Sequence, residues 1–104
     1  MTESMPAQAM ELNRLMTEAA TSYNRGDVSR AEQYCRRTLA MFADFPQALH
    51  LLGLCRWQQG DLAGAADSII SALQLKPDDA QMLHDLGNVF SGQGEWLDAA
   101  RAYL

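Results

Sequence analysis

Residues 60–65 of the chain read GDLAGA, and this stretch decides the fold because its pattern recurs at a fixed interval. The segment GDVSRA starts 34 residues earlier, at Gly26, and the segment GEWLDA starts 34 residues later, at Gly94. In each copy an acidic residue directly follows the glycine, and an alanine stands five positions after it. A fixed period of this size indicates one small structural unit repeated in series, in which each copy buries its apolar face against the next.

Alignment on these glycines divides the chain into three units, residues 12–45, 46–79 and 80–104, of which the third is cut short. Residues 1–11 carry no repeat pattern, and we expect a flexible N-terminal tail there. One helix should end at each glycine, which adopts a left-handed conformation at low cost. The acidic residue after it suits the positive end of the next helix dipole. The sequence therefore predicts two helices per unit.

The residues at the repeating positions follow a known pattern. In the second unit they are Leu49, Leu52, Gly53, Ala65, Ile69, Ala72 and Pro77, and in the third Leu83, Leu86, Gly87, Phe90, Ala99 and Tyr103. The first unit fits less closely, with Glu18, Ser22 and Ala43 where a leucine, an aromatic residue and a proline are usual. The chain therefore resembles the tetratricopeptide repeat family. The resemblance implies an all-α, right-handed helical solenoid of about three helix-turn-helix repeats.

Composition argues against several classes of partner. The formal net charge is −5, and Arg36-Arg37 is the only cluster of basic residues, whereas a nucleic-acid-binding surface needs a basic face. The chain has no run of about 18 apolar residues, and its N-terminus lacks the basic and apolar regions of a signal peptide. We therefore expect a cytoplasmic protein without membrane insertion. Cys35 and Cys55 lack the spacing of a zinc or redox motif, so we expect buried free thiols.

Candidate catalytic residues are few. His50 and His84, the two histidines, occupy the same position of successive units, so they should lie too far apart to share a metal ion. Neither has a nearby histidine or a companion carboxylate in the sequence. The glycine-rich run from Gly87 to Gly94 lacks the Lys-Ser/Thr ending of a phosphate-binding loop. The sequence predicts no enzyme activity, no cofactor and no metal site in this segment.

A binding surface has better support. In the family that the chain resembles, the inner face of the first helix of each repeat lines a concave groove that receives an extended peptide or a partner helix. The corresponding positions here carry no fixed charge, and they include Gly92. Tyr23 and Trp57 are the expected anchors, because large amphipathic rings dominate interface energetics. The predicted partner-binding residues are Tyr23, Asn24, His50, Leu54, Trp57, Gln58, His84 and Asn88.

The expected function is a protein–protein interaction scaffold within a longer protein. Two alternatives stay open, because the resemblance also allows the non-catalytic N-terminal repeat region of a glycosyl- or sulfotransferase, and a chaperone of type III secretion. Some family members hold a terminal carboxylate with basic and amide side chains, and here those positions are Met16, Ala20, Leu51, Gln81 and Asp85. A carboxylate needs charge-assisted donors, so we do not expect this clamp.

We expect the C-terminal helix of the third unit to lack a polar capping helix. Leu97, Tyr103 and Leu104 should form an apolar strip on this helix. Exposed apolar strips promote association, so the sequence also predicts self-association through this end.

Overall fold

The computed structural model describes residues 7–92, which fold into five α-helices with no strands. The helices are α1 (Ala7–Asn24), α2 (Val28–Met41), α3 (Pro46–Gln58), α4 (Leu62–Leu75) and α5 (Ala80–Gly92). The all-α prediction is confirmed for this part of the chain. The predicted sixth helix, with Leu97, Tyr103 and Leu104, lies outside the described residues. The unit boundaries stay predictions.

The start of α1 differs from the expectation. Residues 1–11 were expected to form a tail, whereas α1 already includes residues 7–11. This segment reads AQAME, which contains strong helix formers and neither glycine nor proline. Helix propensity therefore extends α1 beyond the start of the repeat pattern.

The recurring Gly-Asp pair forms the turns as predicted. Gly26 and Gly60 have φ angles of 85° and 84°, in the left-handed region that favours glycine. The side chain of Asp27 accepts a hydrogen bond from the backbone N–H of Arg30 at 3.2 Å. The side chain of Asp61 caps α4 in the same way, accepting from the Gly64 N–H at 2.9 Å. Each pair thus ends one helix and caps the next, which explains why the two residue types recur together.

The helices form two layers. Consecutive helices pack against each other, and α3 also contacts α1 and α5. The even-numbered helices α2 and α4 make no such contact with one another among the described residues. The odd-numbered helices therefore form a continuous inner layer, and α2 and α4 form the outer layer.

The helices α3 and α4 approach each other closely at Gly53. A Cβ atom added there would lie 2.6 Å from Ile69 Cγ1 and 3.1 Å from the carbonyl oxygen of Ala65. The side chain of Arg56, one turn further along α3, also faces α4, where its Nη1 donates to Ser68 Oγ at 2.8 Å. Glycine is thus required at position 53 by the space available and not by its backbone angles.

The two cysteines are free thiols, fully buried where α2 packs on α3. Cys35 packs in a core cluster with Leu52, and Cys55 lies one turn beyond Leu52 on α3. The hydrogen bond with Cys55 and burial both raise the pKa of the Cys35 thiol. Both effects oppose the thiolate form that reacts.

We predict that both thiols react at least about 100-fold more slowly in the folded chain than in denaturant, because a buried thiol reacts only after local opening. Stopped-flow absorbance with a water-soluble aromatic disulfide measures the two rates. Rapid reaction of both thiols under native conditions would contradict the packing described here.

Candidate functional site

We call the face of α1, α3 and α5 that carries the eight predicted partner-binding residues the groove. All eight side chains that the sequence assigns to partner binding keep part of their surface accessible. Asn24, Gln58 and His84 are exposed, and Tyr23, His50, Leu54, Trp57 and Asn88 are half-buried. Their contact with a partner stays a prediction.

The first polar link across the groove joins α1 and α3. The Nε2 atom of Gln58 donates a long hydrogen bond of 3.4 Å to the hydroxyl oxygen of Tyr23. The two residues are 35 positions apart, one repeat period plus one residue. The hydroxyl group of one predicted anchor therefore already has a hydrogen-bond partner from the next unit.

The second link joins α3 and α5 at the same offset of 35 positions. His50 Nε2 lies 2.7 Å from Asp85 Oδ2, and Gln81 Nε2 donates to Asp85 Oδ1 at 3.1 Å. Only 17% of the His50 side chain and 10% of the Asp85 side chain are accessible. Burial strengthens such a contact electrostatically and also makes it costly to leave the carboxylate unpaired.

This link corrects the expectation that neither histidine has a companion carboxylate. The expectation was wrong for His50, because its carboxylate lies on the following unit and forms no local sequence motif. Asp85 also adds one carboxylate to a groove that was expected to be free of fixed charge. His50 and Gln81 each contact one of its oxygens, so the carboxylate is not left without a partner.

Trp57 contributes to the core as well as to the groove. It packs against a cluster of buried residues from α4 and α5 that includes Ile69 and Leu86. Leu62 and Phe90 are partly buried against the same cluster. The indole ring thus has one side held by the core, which fixes the position of the accessible part.

A sequence model of the tetratricopeptide repeat matches residues 16–80, well over half of the chain. The chain belongs to the tetratricopeptide repeat family. Repeats of this family generally mediate protein–protein interaction, and their fold is typically non-catalytic.

Two relatives are much longer than this chain. The protein CTR9 homolog of Arabidopsis thaliana is 38% identical over 74 residues, which are 70% of this chain and 7% of the relative. A TPR repeat-containing protein of Pseudomonas aeruginosa is 30% identical over 100 residues, which are 95% of this chain and 17% of the relative. The tetratricopeptide repeat array therefore corresponds to a small part of each.

Two solved structures have the same arrangement of helices. A mutant of the Thermobaculum terrenum O-GlcNAc transferase superposes with a TM-score of 0.90 at 30% identity, over 95% of this chain and 19% of that one. MamA superposes with a TM-score of 0.83 at 22% identity, over 88% of this chain and 54% of its own. The likeness to MamA shows the fold alone. These superpositions confirm the tetratricopeptide-type arrangement.

Within residues 7–92, no helix of the tetratricopeptide repeat array has both the length and the apolar character needed to cross a bilayer.

Proposed function

We propose that the groove binds a mainly neutral or apolar segment of a partner protein, and that the array is an interaction module of a longer protein. The observation that carries this proposal is the continuous inner layer of α1, α3 and α5, which holds Tyr23 and Trp57 at equivalent positions of successive units. Each ring is half-buried, so it is held in place and still presents apolar surface. Rings held in this way lose little conformational entropy on binding.

Charge also supports a neutral or apolar segment. The carboxylate of Asp85 is already bonded by His50 and Gln81, and the accessible neighbours are amides, rings and histidines. A partner segment that binds through several charged side chains would meet few groups of opposite charge in this groove. The cytoplasmic location stays a prediction.

A second candidate is the non-catalytic repeat region of a glycosyltransferase. The likeness to the Thermobaculum terrenum O-GlcNAc transferase, at 30% identity over nearly the whole chain, favours it. In that case the groove would present a segment of the acceptor protein to a catalytic domain elsewhere. Both candidates require the same groove, and transferase assay of the full-length protein separates them.

The proposal predicts that Trp57→Ala weakens the binding of groove-selected peptides by about 2 kcal/mol, or about 30-fold. Peptides selected from a displayed library of random sequences serve as the probe, and calorimetry measures their affinity. Phe42→Ala is the matched control, since Phe42 is an aromatic residue outside the groove with 50% of its surface exposed. Unchanged affinity of Trp57→Ala together with a lower melting temperature would assign Trp57 to the core alone.

Salt provides a second readout of the same prediction. Because the eight predicted partner-binding residues carry no fixed charge, the affinity should change weakly between low and high ionic strength. A steep loss of affinity with salt would place binding on the charged outer surface instead.

A further inference from the structure

The two cysteines of the chain meet at the junction between unit one and unit two. Cys35 lies on α2, the second helix of unit one, and Cys55 lies on α3, the first helix of unit two. Both residues are fully buried, and the two thiols form a hydrogen bond with each other. A hydrogen bond between thiols brings the two sulfur atoms into contact. The two groups that a disulfide needs are therefore neighbours in space, although they are 20 residues apart in the sequence.

The second junction supports this placement independently. The residues 34 positions later in the sequence are Ile69 on α4 and Val89 on α5. Both are fully buried and belong to one core cluster. At the first junction, Cys35 packs in a cluster with Leu52 of α3, which lies one turn before Cys55. The equivalent positions thus share a core at the second junction, and at the first they carry the hydrogen-bonded thiols.

The fold favours a covalent bond between these thiols. In an unfolded chain, a disulfide between residues 35 and 55 must first close the loop between them, which costs conformational entropy. In the folded chain, α2 already packs against α3, so the two sulfurs are held together before any bond forms. The disulfide should therefore be more stable in the folded chain than in the unfolded chain.

We propose that Cys35 and Cys55 are a redox-active pair that forms an intramolecular disulfide, with a small-molecule disulfide such as oxidised glutathione as the oxidant. One cysteine thiolate attacks a sulfur of the oxidant, which forms a mixed disulfide and releases one reduced glutathione. The second cysteine thiolate attacks the cysteine sulfur of the mixed disulfide and releases the other glutathione. In total, the chain loses two protons and two electrons, and oxidised glutathione takes them up as two reduced molecules.

The bond would join unit one covalently to unit two, whatever the groove binds. Burial makes its formation slow, because a buried thiol reacts only after local opening. The same burial protects the finished disulfide from reductants. The pair should therefore respond to lasting oxidation and not to brief exposure to an oxidant.

Equilibration in glutathione buffers tests the proposal on the unmodified chain. The chain is incubated without oxygen at a series of ratios of reduced to oxidised glutathione, in native buffer and in denaturing urea. Acid quenching and mass spectrometry of the non-reduced chain measure the fraction that carries the Cys35–Cys55 bond. We expect the equilibrium constant for disulfide formation to be at least ~10-fold larger in native buffer, because the native contact replaces loop closure.

The matched control moves one thiol by a single residue. In the double variant Leu54→Cys with Cys55→Ala, the second thiol lies on the groove side of α3, turned by about 100° around the helix axis. Its equilibrium constant in native buffer should be no larger than in urea. Equal constants for the parent chain in the two solvents would overturn the proposal, and so would mixed disulfides or cross-linked dimers as the native products.

Thermal unfolding gives a second readout. A disulfide that fits the native packing stabilises the folded chain by restricting the unfolded one. Circular dichroism should therefore show a melting temperature of the oxidised chain about 5 °C or more above that of the reduced chain. An equal or lower melting temperature would mean that the bond distorts the packing of α2 on α3, and the proposal would fail.

Discussion

Replacing Gly53 by leucine should destabilise the array by about 3 kcal/mol, because overpacking at a closed contact forces the surrounding structure to move. The first added carbon would already lie 2.6 Å from Ile69 Cγ1, and Ile69 is fully buried. The second neighbour, 3.1 Å away, is the backbone oxygen of Ala65, which cannot turn aside as a side chain could. Separation of α3 from α4 is the remaining way to admit the leucine. Urea unfolding followed by circular dichroism measures the loss.

Gly92→Leu is the matched control. Leucine is a better helix former than glycine by almost 1 kcal/mol at either position, so propensity alone would stabilise both variants. Among residues 7–92, the added carbon at Gly92 meets only Leu62 at 3.8 Å, so this variant should unfold at a urea concentration equal to or above that of the parent. Equal free energies of unfolding for the two variants would show that the helices do not approach as closely as described.

The second large effect is expected for Ile69→Ala, which should cost about 4 kcal/mol through lost burial and an unfilled cavity. Ile69 is fully buried in the cluster that joins α4 to α5, and it also faces Gly53 of α3. The next residue, Ile70, supplies a control of identical chemistry, because 37% of its surface is exposed. Ile70→Ala should cost no more than about 1 kcal/mol. Similar losses for the two variants would contradict the orientation of α4.

The variants at Gly53 and Ile69 should also interact. Truncating Ile69 removes the atom that lies nearest to a Cβ at position 53, so Gly53→Ala should cost less in the Ile69→Ala chain than in the parent. Contacting residues show coupling energies of about 0.5–3 kcal/mol in such cycles. A coupling of zero would mean that the clash is with the Ala65 carbonyl alone.

Local features of this fold could be predicted from the sequence. The left-handed glycines and the aspartate caps at residues 26–27 and 60–61 depend only on neighbouring residues, so their recurrence was sufficient. The start of α1 was harder to predict, because a repeat period carries no information about residues before the first unit. There the intrinsic helix propensity of residues 7–11 decides.

The links across the groove could not be predicted in the same way. The pairs Tyr23–Gln58 and His50–Asp85 each join residues of different units, and their geometry depends on how one unit is rotated on the next. The 34-residue period gives no information about that rotation. In the structure, the residues of each pair are 35 positions apart in the sequence. A search of the inner positions for polar residues at this separation would have identified both pairs.

The position of α3 has a consequence for how this sequence can change over time. α3 contacts each of the other four described helices, and its exposed residues are Gln47 and Gln58, at its two ends. Three of its four buried residues are small, namely Ala48, Gly53 and Cys55. The outer helices keep a solvent-facing side on which substitutions cost little. On α3, a substitution that improves one contact disturbs another, so diversification of this array should begin at α2 and α4 and reach α3 last.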